Sequence, residues 1–227
     1  MKLYPIEICD HREPPFMGIA IDLANSYPSS ICQISLSWVV GTEIKALSWL
    51  VKPPTNDFSF VKYHGITEET VKDEPPFYQV WDEHIVPLMN YNIFASHYSQ
   101  RTMQAIIESY EFMSERVFPA NHYIVYDTYL TAKETWGAFP NNQLQNYKLE
   151  SISRLLKIDL DKANIISRSL AIANILNYCF ANYAVLVPSP KVMAYVANKH
   201  CFSQWMSGAD VDETYGMNGD VTPPFSL

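Results

Sequence analysis

The segment from Met17 to Asn25 constrains the possible folds of this chain more than any other. Five apolar or small residues lead to Asp22, and a polar segment follows from Asn25 to Ser30. Such a run is typical of a buried central strand that ends in a carboxylate at the edge of a sheet. Because α/β proteins place their chemistry at that edge, Asp22 is a candidate functional residue.

Two more strands are predicted directly after this one. Residues 31–40 alternate apolar and polar side chains, and Gly41-Thr42 provides a turn to a third run, Ile44 to Val51. The pattern predicts that all three strands form an antiparallel meander.

Strands and helices alternate in the next part of the chain. Short apolar runs predict a fourth strand from Asn92 to His97 and a fifth from Tyr123 to Thr128, each with a polar end. Apolar residues at helical spacing predict helices over 77–88, 99–113, 147–156 and 162–178. This order predicts an α/β fold in which helices flank a mixed sheet of five strands, an antiparallel meander plus parallel strands.

The composition favours one acidic domain. The chain has 227 residues and a formal net charge of -8, with 16 basic residues that form no run. This balance works against tight, sequence-independent binding to a phosphate backbone. The cysteines lack the CxxC spacing of a zinc site, and we expect buried free thiols. They are Cys9, Cys32, Cys179 and Cys201.

The main domain is expected to span residues 17–180. Prolines among charged residues predict an irregular lead-in at 1–16, and residues 181–227 form a C-terminal extension. The sequence has no leader of secretory type and no apolar run near the roughly 20 residues that span a bilayer. We therefore expect a soluble protein of the reducing cytoplasm, without membrane association.

The extension is harder to interpret. Residues 183–187 are strand-like, and residues 192–200 have a helical pattern. The composition beyond Ser207 favours mobility. We expect Tyr215 or Phe225 to anchor this tail to the body of the protein or to a neighbouring subunit.

Short motifs between residues 17 and 178 occur in a characteristic order. They are the strand with Asp22, the segments Ile31 to Ile34, His64 to Thr67 and Phe94-Ala95, then Asp127-Thr128, Tyr147 to Leu149 and an alanine-rich helix. In this order they resemble the DEDD-type 3′→5′ exonucleases, the proofreading group with a ribonuclease H-like fold. The resemblance implies two divalent cations held by carboxylates, with a histidine as general base.

The family's functional positions are mostly substituted in this chain. Asp22 matches the first aspartate of the family. The family's glutamate is either replaced by Ala24, or lost in a two-residue deletion if Ala24-Asn25 is matched to the family's usual Ala-Asn. Arg101 and Ser169 replace the other two aspartates, and Asn164 replaces the histidine. Since one of five positions is retained, the resemblance implies a pseudoenzyme unless other groups converge on Asp22.

Other polar residues could rebuild such a site. Asp127 is the best of these, because it ends a neighbouring strand, and its alternative role is to cap the helix that begins at Thr128. His97 and Glu68 are further candidates. Arg101 could bind a phosphate without metal or form a surface salt bridge.

Two functional hypotheses follow from these residues. The first is an exonuclease-fold pseudoenzyme that binds a macromolecule. The acidic balance favours a protein partner over nucleic acid, and a homodimer is a second form of such a partner. The second is an active 3′→5′ exonuclease on single-stranded DNA or RNA with a rearranged site. We expect no cofactor under the first hypothesis, and Mg²⁺ or Mn²⁺ under the second alone.

Overall fold

One mixed β-sheet forms the centre of the computed structural model, which describes residues 16–40, 43–89, 92–137, 144, 146–184 and 187–193. Within these residues, the sheet has six strands in the order β3-β2-β1-β4-β5-β6. They are β1 (Met17–Leu23), β2 (Ile31–Val40), β3 (Glu43–Leu50), β4 (Ile93–Ser96), β5 (Ile124–Asp127) and β6 (Lys191–Val192). The β1, β2 and β3 strands pair antiparallel, β1, β4 and β5 pair parallel, and β6 is antiparallel to β5.

Helices lie on both faces of this sheet. They are α1 (Val61–His64), α2 (Glu68–Val71), α3 (Phe77–Val80), α4 (Ser99–Ser114), α5 (Thr128–Gly137), α6 (Leu149–Leu156) and α7 (Ile165–Tyr183). A π turn (Trp81–Ile85) and a 3-10 turn (Val86–Leu88) continue α3, and a second 3-10 turn (Ala120–His122) precedes β5. The predicted α/β fold with a mixed, helix-flanked sheet is confirmed.

The sheet separates two apolar cores, one on each of its faces. One core joins Ile19 of β1 to residues of α3 and α4, and the other joins Ala20 to residues of α6 and α7. Neighbouring residues of a strand point to opposite faces, so Gly18, Ala20 and Asp22 share the face that α7 covers. The strand with Asp22 is internal to the sheet, as predicted.

Glycine at position 18 lets α7 pack closely on β1. A Cβ atom there would clash with the carbonyl oxygen of Ser169 and come within 2.9 Å of the backbone nitrogen of Ala173. Both atoms belong to helix backbone, which cannot move aside as a side chain can. The contact therefore sets the height of α7 above the strand that carries Asp22.

The predictions at the C-terminal side of the fold need correction. Five strands were expected, and the sixth is the two-residue β6, which is too short to produce a pattern. The predicted strand at 183–187 is wrong at its first described residues, because Tyr183 is the last residue of α7 and Ala184 continues its helical turn, and residues 185–186 lie outside the described residues. A helix was also predicted at 192–200. Its first residue, Val192, belongs to β6, and residues 194–200 lie outside the described residues.

Several expectations fall on residues outside the described ranges. The lead-in up to residue 15 and the tail with Tyr215 and Phe225 are among them, as are Cys9 and Cys201. The other two cysteines are buried free thiols. Among the described helices, none combines the length and the apolar character needed to cross a membrane.

Candidate functional site

Asp22 and Arg168 form a buried ion pair at the C-terminal end of β1. The Nη2 atom of Arg168 donates to both carboxylate oxygens of Asp22, at 2.6 and 2.5 Å. The side chains are 3% and 1% exposed for arginine and aspartate, respectively. Hydrogen bonds between ionised groups are the short and strong ones, and here the pair lies in a low-dielectric interior. Asp22, which the resemblance matches to the first aspartate of the exonucleases, is thus bound to an internal cation.

The position of Arg168 follows from helix packing. Asn164 caps the N-terminus of α7, since its Oδ1 accepts from the N–H groups of Ile166 and Ser167 at 2.9 and 3.2 Å. The cap fixes where α7 begins, and the close approach at Gly18 fixes its distance from β1. Arg168, in the first turn of the helix, then reaches across to the end of the strand. Asn164, at the family's histidine position, thus caps this helix.

Ser169, at the position of the last family aspartate, belongs to a buried serine cluster. Its hydroxyl shares hydrogen bonds with Ser35 and Ser37 of β2 at 2.9 and 2.6 Å and donates to the carbonyl of Ile166. All three serines are fully buried. This hydroxyl therefore joins α7 to the sheet.

Ala24, at the position of the family glutamate, is packed in an apolar cluster. Its neighbours there are Cys32, Ile66 and Val71. Its backbone is also fixed, because its N–H donates to the carbonyl of Ser30 at 2.8 Å. A carboxylate at this position would have to enter an apolar cluster, which is costly without a partner.

His64 is a neutral structural histidine beside the ion pair. Its Nδ1 accepts from the N–H of Ile66 at 3.0 Å, so the proton is on Nε2, which lies 3.0 Å from the carbonyl oxygen of Leu23. Burial lowers the pKa of His64, and the positive charge of Arg168 acts in the same direction against the charge of Asp22. The His64 to Thr67 motif thereby fastens α1 to the end of β1.

Asp127 joins the N-termini of two helices. Its Oδ2 accepts from the N–H and hydroxyl of Ser99 at 2.9 and 2.7 Å, at the start of α4. Its Oδ1 accepts from the N–H groups of Tyr129 and Leu130, which begin α5. Burial raises the pKa of Asp127, although these hydrogen bonds lower it in part. The predicted cap on the Thr128 helix is confirmed.

Of the other candidate residues, His97 and Arg101 lie near the same two helices, whereas Glu68 lies on α2. The Nδ1 atom of His97 is 3.0 Å from the hydroxyl of Thr128. Burial lowers the pKa of His97 to about 3, so the ring is neutral. Arg101 is partly exposed in the first turn of α4. Glu68 is an exposed residue of the first turn of α2.

Cys32 is buried next to Asp22 and is not suited to nucleophilic chemistry. Its thiol lies 3.5 Å from the backbone carbonyl oxygen of Asp22. Burial and the charge of Asp22 both raise the pKa of this thiol. Because the thiolate is the reactive form, Cys32 is inert at neutral pH.

The residues around Asp22 do not fit the two cations of the exonuclease family. Mg²⁺ and Mn²⁺ require several oxygen ligands, and here an apolar side chain, a helix cap and a hydroxyl occupy the other positions. In the described part of the chain, no group of three or more His, Cys, Asp or Glu side chains could hold a metal ion. What the arrangement provides is a neutral, structural ion pair.

Arg168 is the residue that motif comparison missed. It stands directly before Ser169, at a position for which the family motif has no functional assignment. A signal was present, since an arginine among apolar and small residues in a helix that covers the sheet needs a buried acid as partner.

Comparisons with known proteins support the fold. The chain is similar to a structure described as Exonuclease X in complex with 5′ overhanging duplex DNA, with 16% identity, a TM-score of 0.52, and coverage of 79% of this chain and 98% of that chain. It is also similar to a 3′-exonuclease in 3′-end specific recognition of a histone mRNA stem-loop, with 16% identity, a TM-score of 0.55, and coverage of 74% and 81%.

A full-length 3′-exonuclease gives a similar result, with 15% identity, a TM-score of 0.55, and coverage of 77% of this chain and 83% of that chain. No family model and no curated protein matches the sequence. At this level of identity the likeness concerns the fold alone, and the chain has an exonuclease-like, ribonuclease H-like fold.

Proposed function

We propose that this chain is an exonuclease-fold pseudoenzyme that binds another macromolecule without hydrolysing it. The observation that carries the proposal is the guanidinium of Arg168 on the carboxylate of Asp22. The roles of Ala24, Asn164 and Ser169 in packing, capping and hydrogen bonding support it. Four of the five positions matched to the family, those of Asp22, Ala24, Asn164 and Ser169, thus have structural roles.

Energetics support the absence of metal chemistry at Asp22. A divalent cation at this carboxylate would have to displace Arg168 and leave its charge buried without the partner. Removing one member of a buried pair costs about 3–5 kcal/mol. One carboxylate offers a hard cation too few ligands to offset that cost. The proposed protein therefore uses no cofactor, and Mg²⁺ or Mn²⁺ belongs to the alternative of an active exonuclease.

The partner class follows from charge and from the structural neighbours. Two of the neighbours are described with DNA or RNA, which supports nucleic acid as one ligand class. The net charge of -8 opposes attraction to phosphates and therefore supports a protein partner over nucleic acid, with a second copy of the chain as the alternative protein partner. We place the protein partner ahead of nucleic acid, and a cytoplasmic location remains part of the same proposal.

A nuclease assay tests the proposal. Purified wild-type chain is incubated with end-labelled single-stranded DNA or RNA in Mg²⁺ or Mn²⁺, and no release of 3′-terminal nucleotides above buffer is expected. The matched control is Asp22→Asn/Arg168→Gln, which removes both charges together and so leaves neither buried alone. Degradation by the wild type that disappears in this variant would identify an active exonuclease and require withdrawal of the proposal.

Binding is measured with the same material. Electrophoretic mobility shifts with the uncleaved oligonucleotides report nucleic-acid binding, and analytical ultracentrifugation reports self-association. Tight, salt-sensitive shifts without self-association would favour nucleic acid as the partner.

A further inference from the structure

The end of α4 exposes apolar side chains. Phe112 and Val117 keep 64% and 86% of their accessible surface, the two highest values among the large apolar residues that the structure describes. Met113 is exposed as well. We call Phe112, Met113 and Val117 the α4-end surface. Single exposed apolar residues are common, whereas neighbouring ones of this exposure mark interaction sites.

Flanking contacts hold Val117 outward. The guanidinium of Arg116 donates to Asp82 at 2.7 Å and so turns back toward the protein. On the other side, Phe118 is buried, and its N–H donates to the carboxylate of Glu111 at 3.1 Å. Since both neighbours are fixed, the exposure of Val117 is built into the local structure.

The rim of this surface is acidic. Glu108 lies one helical turn before Phe112 on the same face of α4, and Glu115 caps the C-terminal end of the helix three residues after Phe112. Glu111 adds a third carboxylate, and Arg116, the basic residue of this segment, is already bound to an aspartate. The partial negative charge at the C-terminus of α4 has the same sign. The result is an apolar centre with a negative rim.

Glutamate is unfavourable at position 115 for two reasons, the backbone conformation and the charge at the end of the helix. Glu115 follows α4 with a φ of 56°, in the left-handed region that favours glycine. Its charge also opposes the helix dipole, for which a basic residue is suited. Lys157 ends α6 in the same conformation and carries the favoured charge. Local violations of this kind are characteristic of functional sites.

We infer that the α4-end surface docks a protein partner through an apolar segment flanked by lysine or arginine. This inference rests on the proposed function, in which the chain binds a macromolecule, and it names the class of partner. The acidic rim attracts basic side chains and repels both nucleic-acid phosphates and a second copy of this chain, whose net charge is -8.

A library of short random peptides displayed on phage supplies the probe. Selection against the full chain is expected to enrich apolar sequences flanked by lysine or arginine, and a synthetic copy binds the chain in fluorescence anisotropy. Phe112→Ser/Val117→Ser weakens this binding at least about tenfold, because apolar residues at the centre of an interface carry most of the affinity.

A variant of Glu115 separates a binding role from a structural one. Glu115→Gly weakens peptide binding several-fold and at the same time raises the melting temperature, because glycine suits the positive φ and removes the unfavourable charge. Lys157→Gly is the matched control at the end of α6 and leaves the affinity unchanged. Equal affinity of the wild type and Glu115→Gly would overturn the assignment of the rim.

Other outcomes would overturn the inference as a whole. These are the recovery of no basic-flanked peptide, the enrichment of acidic ones, or full affinity of Phe112→Ser/Val117→Ser. Hydroxyl-radical footprinting identifies other occupants. Oxidation of Phe112 and Met113 in the dilute chain supports an open surface, protection at every concentration means that the chain covers itself, and protection at high concentration alone means a second copy. Both kinds of protection contradict the inference.

The nuclease assay keeps this inference distinguishable from the proposed function. A chain that degrades nucleic acid yet binds the peptide through Phe112 would lose the proposed function and retain the docking surface. An inactive chain that binds no such peptide would lose the surface alone.

Discussion

Replacing Arg168 by methionine removes the cation from Asp22 while keeping an unbranched side chain of similar volume. The carboxylate then remains buried at 1% exposure without the partner that contacts both of its oxygens. Breaking a buried pair from one side costs about 3–5 kcal/mol, because an uncompensated charge stays in the interior. We therefore expect Arg168→Met to lower the free energy of unfolding by about that amount, and Asp22→Asn to have a comparable effect.

The double variant gives the sharper result. Asp22→Asn/Arg168→Met leaves no buried charge, and replacing a buried pair by neutral groups of similar volume is often neutral or even stabilising. The double variant is therefore expected to be more stable than either single variant. A double-mutant cycle then yields a coupling of about 3 kcal/mol or more, measured by urea denaturation followed by tryptophan fluorescence.

An exposed ion pair on α2 serves as the control for this cycle. Glu69 and Lys72 lie 2.5 Å apart with side chains 79% and 50% exposed. Such pairs contribute about 0.2–1 kcal/mol. If the coupling between Asp22 and Arg168 were no larger than that of the control, the two charges would not be paired in the interior, and the assignment of Arg168 would fail.

Two further predictions concern pH and packing. The pKa of His97 is about 3 in the folded protein and about 6.5 in an unfolded chain, so the unfolded state binds more protons in this range. The contribution of neutral His97 to the free energy of unfolding is thus fully present above pH 6.5. It is lost as the pH falls toward 3, by about 1.4 kcal/mol per pH unit. His97→Gln should reduce this slope in urea titrations and leave the part that is due to His64, whose pKa is also lowered by burial, and the exposed control His122→Gln should keep the full slope; an unchanged slope in His97→Gln would contradict the burial. Gly18→Ala should destabilise by about 3 kcal/mol or more through a clash with helix backbone, against about 1 kcal/mol for Gly65→Ala, whose cost is conformational alone. Equal melting temperatures for the two glycine variants would contradict the close packing of α7.

The sequence predicted those parts of the fold that local patterns determine. The run of residues up to Asp22 identified the central strand, and the alternation after it identified the meander. Asp127 was predicted as a cap of the helix that begins at Thr128, and its carboxylate does accept from the N–H groups of Tyr129 and Leu130. Strand β6 left no pattern because it has two residues, and its place depends on pairing with β5.

The candidate site was predicted only in part from the sequence. Motif comparison predicted that the other metal ligands of the family are substituted, because a substitution at a known position is visible in the sequence. It did not find Arg168, which lies 146 residues away along the chain. The pairing of these two residues depends on how α7 packs on β1, and that packing follows from the glycine at position 18. The arginine in this apolar helix signals a buried acidic partner, whereas the identity of that partner depends on long-range geometry and has no local signature.

The most direct test of the ion pair is a crystal structure of the chain after soaking in Mn²⁺, with an anomalous difference map. Our account predicts guanidinium density on the carboxylate of Asp22 and no anomalous peak within coordination distance of it. A strong manganese peak on Asp22, with Arg168 turned away, would contradict the claim that this arginine has replaced the metal ions of the exonuclease site.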